Sequence, residues 1–317
     1  MERLLAALRA AAEPTRLRLL ALVARGAFCV LDLAEILGQS QPRLSRHLRL
    51  LCDAGLLERT REGPNVWFSL PSGEMGAFVR ELIARLPETD PTLAADRRQA
   101  ARALAERARI ASETFRRQGA DWDEMRALDL PAAAVEAALL RLLPEGPLER
   151  VLDIGTGTGR LLELLAPRIG AGIGIDASRA MLALARARLS RPGLQHCTVR
   201  QADMYRLPFP DGTFDLAVLQ MVLHYAEDPS AAVAEAARVL RPGGRLLVVD
   251  LALHARTDLA ERLAHRWPGF AEAAMSGFFH SAGLITEAPA AVPGPIEVRL
   301  WTAQRPISAT TSADMAA

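Results

Sequence analysis

The ten residues Val151 to Arg160, VLDIGTGTGR, run from a short apolar segment straight into glycine at every second position, and a helical pattern begins at Arg160. Glycine at 155, 157 and 159 lets the backbone turn sharply and approach a ligand, beneath a helix N-terminus whose free amides attract negative charge. The spacing is GxGxG; a dinucleotide fold places its third glycine one position later, where Arg160 stands. Around this loop strands and helices alternate: VLDI, a helix to Ala166, GIGI, a helix to Leu189, QHCTVR, DLAVL, another helix, and RLLVVD. Helical segments around 258–266 and 270–281 follow, and two strands near 284–289 and 296–303 close the pattern. Such alternation predicts an α/β layer structure built on a mostly parallel sheet covered on both faces.

The carboxyl ends of these strands carry acids in order. GIGI ends in Asp176, placed to bind the two hydroxyls of a ribose, and QHCTVR leads into Gln201-Ala202-Asp203-Met204. Asp203 can accept from an adenine amino group, Met204 and Met181 can supply apolar ring contacts, and Asp153 can hold the loop and the ammonium group of an amino acid. The segments VLDIGTGTGRLLELLAP, GIDASRAML, QADMYRLPFPDGTFDLAVLQMVLHYAEDP and RVLRPGGRLLVVD resemble the successive motifs of class I S-adenosylmethionine-dependent methyltransferases, in the branch similar to the UbiE and arsenite methyltransferase families. The resemblance implies a Rossmann-like domain with a seven-stranded sheet and S-adenosylmethionine or S-adenosylhomocysteine as its ligand. It implies that Asp153, Gly155, Gly157 and Gly159 cradle the methionine part, Asp176 the ribose, and Asp203 with Met204 the adenine. Thr156, Ala177, Met181 and Ala202 join the same cofactor-binding set, and Gln220 lines the pocket near the sulfonium.

The first 86 residues read differently. Apolar residues fall at helical spacing through Leu17, Leu20 and Val23, then Leu33, Ile36 and Leu37, then Leu44, Leu48 and Leu51. After Gly55 come β-like runs over 56–60 and 66–70, with Arg61-Glu62-Gly63-Pro64 as the turn. EPTRLRLLALV and CVLDLAEILGQSQPRLSRHLRLLCDAGLLERTREGPNVWFSL are similar to the ArsR/SmtB family of winged helix-turn-helix repressors. The resemblance makes Gln41 to Asp53 a recognition helix, with Gln41, Arg43, Ser45, Arg46 and His47 presented to base edges and Arg59 and Arg61 on the wing set against phosphate. Where metal-sensing members carry two cysteines around a valine, this chain has Cys29-Val30-Leu31, and no metal site is expected.

These units set the expected boundaries: 1–86 the DNA-binding domain, 87–147 a helical linker and dimerisation segment, 148–305 the methyltransferase domain, 306–317 a disordered tail. In the linker, 93–118 reads as an arginine-rich helix with a thin apolar stripe at Leu104, Ala108, Ile110, Ala111 and Phe115, and one or two further helices are expected around Trp122, Leu128 and the run Val135 to Leu143. Every basic residue among the 38 is arginine, since the sequence has no lysine, which excludes Schiff-base and lysine-loop chemistry. Three scattered cysteines argue against a disulfide framework and for a cytoplasmic protein, and no window is apolar enough for a membrane span. They also disfavour arsenite methylation.

Past the fourth strand, His224 and Tyr225 are the candidates for a catalytic base, His224 also reading as an ordinary pocket wall; the methyl acceptor is not legible. Two functions stand. One is a DNA-binding regulator, a homodimer on an inverted-repeat operator in double-stranded DNA, whose affinity the bound adenosylmethionine or adenosylhomocysteine sets. The other is a working small-molecule methyltransferase with an accessory helix-turn-helix.

Overall fold

The computed structural model describes residues 1–307 apart from 63–64, 72, 118–124, 126–127 and 257. The Gly63-Pro64 turn, the stretch around Trp122 and the tail from 308 lie outside the described residues, whereas the helix expected over 135–143 is present at Ala132–Leu142. The chain forms two units: the first takes 1–117, 157–166 and 178–201, the second 118–156, 167–177 and 202 onward.

The first unit opens with helices α1 (Glu2–Ala11) and α2 (Pro14–Val23), the latter started by Glu13, whose carboxylate accepts from Arg16 N–H at 2.9 Å. Strand β1 (Phe28–Cys29) leads into α3 (Val30–Leu37), where the buried Asp32 accepts from the Cys29 amide at 2.9 Å. Gly38, at φ +61°, ends α3 in the left-handed conformation that a side chain resists. Helix α4 (Gln41–Asp53) follows, burying Leu44, Leu48 and Leu51 along one stripe while its other face stays polar. Strands β2 (Glu58–Glu62) and β3 (Asn65–Ser69) pair antiparallel, with Glu62 opposite Asn65, and β1 adds to the far side of β3. The ladder therefore runs through Arg61 and Glu62, which the turn signals had assigned to the loop. Helices α5 (Glu74–Ala84) and α6 (Pro91–Arg117) complete the N-terminal part. Leu19, Leu20, Leu33, Leu44, Leu48, Phe28 and Val79 form its core, which Ala100 and Leu104 of α6 close. The unit also holds α8 (Arg160–Leu165), α9 (Arg179–Leu189), along which α6 lies, and β6 (Cys197–Gln201).

The second unit contains α7 (Ala132–Leu142), β4 (Leu148–Ile154), β5 (Ile169–Asp176), β7 (Phe214–Gln220), α10 (Pro229–Val239) and β8 (Leu240–Leu251). After them come α11 (Asp258–Leu263), α12 (Glu272–Ser281), β9 (Ile285–Thr286), β10 (Ala290–Val292) and β11 (Val298–Gln304). Within this unit the strand order is β10-β11-β8-β7-β4-β5, with β9 paired to β11. Pairs β4/β5, β4/β7 and β7/β8 are parallel, and β11 returns antiparallel to β8. In β7, Phe214 to Leu219 are all buried, as a strand covered on both faces requires. Its one acid, Asp215, accepts from the amides of Glu149 and Arg150 at 2.7 and 2.8 Å. One strand more than expected closes the chain: the segment expected at 284–289 holds only β9, and β10 follows at 290–292, beyond the expected bounds.

Candidate functional site

Parallel pairing puts the ends of β4, β5 and β7 on one edge of the sheet, and the glycine loop folds back over that edge. Gly155 and Thr156 donate their amides to Ile175 O at 2.9 and 2.8 Å. Gly155, Gly157 and Gly159 have φ of +75°, +52° and +75°. A Cβ on Gly155 would lie 2.4 Å from Val222 Cγ2, so at this position glycine is required by space as well as by conformation. Thr156 Oγ1 donates to Asp153 Oδ2 at 2.6 Å. Burial pushes the Asp153 carboxyl up to about 7, the Thr156 hydrogen bond opposing and the charge of Asp176 adding to the rise. Among the described residues Asp153 has no ion-pair partner.

Asp176 is half-buried at the end of β5, with Ala177 exposed beside it, and Asp176 O accepts from Ala202 N–H at 3.3 Å. Asp203 is exposed and accepts from the Tyr205 amide at 3.0 Å, while Met204 is half-buried against the core of the second unit. Gln220 ends β7, and its buried Oε1 has no hydrogen-bond partner. Met221 follows at φ +51°, a conformation that costs a non-glycine residue energy. These residues all belong to the second unit. Gly157, Gly159 and Met181 belong to the first, where Met181 N–H is held by the Ser178 hydroxyl at 3.3 Å in the opening turn of α9.

His224 is fully buried. Its Nδ1 lies 2.6 Å from Asp250 Oδ1, and Asp250 Oδ2 accepts from the amides of Leu223 and His224 at 3.0 and 3.3 Å. His224 O accepts from the amides of Arg266 and Trp267, and Trp267 Nε1 donates to Ala226 O at 2.8 Å. This pattern gives His224 a tethering role in the loop after β7. Tyr225 is exposed, with its ring 4.3 Å from that of His224 and 5.3 Å from that of His265. Asp250 had no role in the sequence reading; its partner lies 26 residues away, and only the adjacency of β7 and β8 unites them.

On α4, Gln41, Arg43, Ser45 and Arg46 are exposed. His47 is half-buried and its Nδ1 lies 3.5 Å from Glu13 Oε2, so it faces α2 more than solvent. On β2, Arg59 and Arg61 are exposed and Glu62 is buried, following the alternation of a strand. Glu62 accepts from Arg186 Nη2 with both oxygens at 2.8 Å and from the Gln201 amide at 2.8 Å. The Arg186 guanidinium also lies over the Trp67 ring, 3.5 Å from its centroid. Wing, α9 and the end of β6 are thereby joined inside the first unit by a buried charge pair that sequence reasoning missed, because Glu62 looked like a turn residue. Among the described residues no group of three or more metal-binding side chains occurs.

Residues 13–59 match the model of the bacterial regulatory protein arsR family, and residues 152–248 match a methyltransferase domain. The chain carries an arsR-type helix-turn-helix and a methyltransferase domain. An uncharacterized protein encoded in a Streptomyces fradiae transposon is 38% identical over 149 residues, covering 44% of this chain and 42% of that protein. A phosphatidylethanolamine N-methyltransferase of Cereibacter sphaeroides is 42% identical over 102 residues, covering 32% of this chain and 50% of the enzyme. The chain thus spans between two fifths and a half of the length of these curated relatives. Among solved structures, a chain of the Haloferax volcanii complex between a methyltransferase activator and a methyltransferase superposes with a TM-score of 0.52 at 22% identity. That likeness covers 61% of this chain and 96% of that one, and it shows the fold.

Proposed function

We propose that this protein is a DNA-binding transcriptional regulator whose methyltransferase domain binds S-adenosylmethionine or S-adenosylhomocysteine and so sets its affinity for an operator. The residues present fit that ligand. Asp153 is a buried acid without a cation, Gly155 admits no side chain, Asp176 ends β5 as a ribose ligand would, and Gln220 Oε1 is a buried acceptor without a donor. Asp203 and Met204 would take the adenine, and Thr156, Ala177, Met181 and Ala202 the remaining contacts, with Gly157 and Gly159 continuing the loop along the chain. When bound, adenosylmethionine supplies an electrophilic methyl group; adenosylhomocysteine lacks both that methyl and the positive charge.

The observation that carries regulation is the buried contact of Glu62 with Arg186 and the Gln201 amide. It ties the strand bearing Arg59 and Arg61 to the segment whose next residues in sequence are Ala202 and Asp203, a short covalent route from ligand to wing. The exposed Gln41, Arg43, Ser45 and Arg46 support reading of base edges, and a homodimer would set two such helices about one DNA turn apart on an inverted repeat. Such work takes place in the cytoplasm, and no described helix is long and apolar enough to cross a membrane.

The second reading, a small-molecule methyltransferase of the UbiE-like branch, is favoured by the exposed Tyr225 in the loop after β7 and by the unsatisfied Gln220 Oε1 at the end of that strand. An operator selected from random duplexes, titrated with protein in the presence of each ligand, separates the two. Regulation predicts at least a fivefold difference in affinity between ligands, the low end of the usual coupling of ~1–3 kcal/mol. Equal affinities together with steady adenosylhomocysteine production in cell extract would establish the enzyme instead. In thermal unfolding, Asp176→Ala should lose the rise in Tm that adenosylmethionine causes.

A further inference from the structure

The first unit holds a cavity of about 330 Å³ between α2, α5 and the start of α6, remote in sequence from both the recognition helix and the glycine loop. Its wall is apolar where Leu22, Ile83 and Leu93 meet. Around that wall stand four guanidinium groups, Arg18, Arg25, Arg80 and Arg97, against the two carboxylates of Glu88 and Asp96. The carboxylates do not satisfy the cations evenly. Asp96 is spent on Arg18, which it holds with two hydrogen bonds of 2.7 Å, and Arg97 donates to the Glu88 carbonyl at 2.7 Å. Arg25 and Arg80 make no hydrogen bond or ion pair among the described residues. Partial burial holds the Arg25 pKa below its ordinary value, with the neighbouring Arg97 adding to the fall and Glu88 opposing it.

We propose that this cavity binds a small organic anion, a carboxylate or phosphate carried on a compact apolar body, with Arg25 and Arg80 taking the anion and Leu22, Ile83 and Leu93 the body. Guanidinium is suited to both anions because its planar fork meets two oxygens at once, and charge-assisted hydrogen bonds of this kind are about twice as strong as neutral ones. A cavity of this size is at the lower end of ligand pockets, which limits the body to about one ring or a short chain. The anion would sit against α2, whose inner residues Leu19 and Leu20 share a core with Leu44 and Leu48 of the recognition helix. The site is independent of adenosylmethionine binding, so it can fail without touching the proposed function, and the reverse.

Calorimetric titration of the full chain with phenyl phosphate, phenylacetate, inorganic phosphate and benzyl alcohol tests it. Either aromatic anion should bind at least tenfold more tightly than both inorganic phosphate and benzyl alcohol. The double variant Arg25→Ala/Arg80→Ala, which removes exposed side chains and should keep its helical circular dichroism, should weaken that binding at least tenfold, whereas Arg43→Ala should leave it unchanged. Inorganic phosphate matching the aromatic anions would reduce the site to an adventitious ion only. Undiminished binding to the double variant, or no binding of either aromatic anion to the wild-type chain, would overturn the proposal.

Discussion

Two buried carboxylates, one in the wing and one in the glycine loop, have been completed to different degrees. Glu62 accepts from two donors, a guanidinium whose side chain is 6% exposed and the Gln201 backbone amide, and that guanidinium in turn lies over the Trp67 ring. Asp153, 1% exposed, receives a hydroxyl hydrogen bond from Thr156 and no cation. A fully matched charge inside a protein belongs to the architecture, since its desolvation is already offset where it stands. An acid left partly matched keeps its proton to about pH 7 and holds a charge in reserve for whatever arrives. The contrast separates a residue that fastens from a residue that waits.

The largest expected effect comes from unfastening. Glu62→Ala leaves Arg186 buried and unpaired and should cost about 3–5 kcal/mol in urea unfolding, while Glu62→Leu combined with Arg186→Met should recover most of the loss. A penalty below about 1 kcal/mol for the single variant would mean that Glu62 is not fastened in solution. Next comes ligand affinity. With Asp153 titrating near 7, roughly a tenth of it is ionised at about pH 6 and nine tenths at about pH 8, so adenosylmethionine binding should tighten close to tenfold across that range. The Asp153→Asn variant should show no such slope.

Stability should move the other way. The folded state binds a proton that the unfolded chain releases between about pH 4 and about pH 7, so the Asp153 contribution to stability falls as pH rises through that window. At about pH 8 without ligand, Asp153→Asn should therefore be as stable as wild type or more so, opposite in sign to Glu62→Ala; a loss comparable to that of Glu62→Ala would erase the distinction. The smallest effect is at the wing surface: Arg61→Ala should leave stability within about 0.5 kcal/mol and lower the salt dependence of DNA binding by about one phosphate contact.

The parallel sheet was legible because fully buried strands write themselves as unbroken apolar runs, as in DLAVL, and the recognition helix because Leu44, Leu48 and Leu51 keep helical spacing over an otherwise polar stretch. Strand β1 was not, since two residues carry no periodicity. Glu62 was misplaced because composition marks 61–64 as a turn, whereas its pairing with Asn65 extends the ladder to the edge of that loop. The link between His224 and Asp250, and the meeting of Arg25 with Arg80 and Arg97, depend on which helices and strands become neighbours. No local pattern encodes that. The glycine loop was legible in position, yet the raised proton affinity of Asp153 follows from burial depth, which a single sequence does not state.

The first unit is not one uninterrupted stretch of polypeptide. The chain leaves it after residue 117, returns for 157–166, leaves, and returns again for 178–201. A gene segment encoding the N-terminal third cannot carry the whole unit into another protein, because α9 and the β6 backbone that satisfy Glu62 would stay behind. Transplanting the helix-turn-helix as a cassette would strand an acid with nothing to neutralise it. Whatever joined the two halves first, their present sequence is interlaced, and recombination that respects only linear order would separate partners that the fold has bonded.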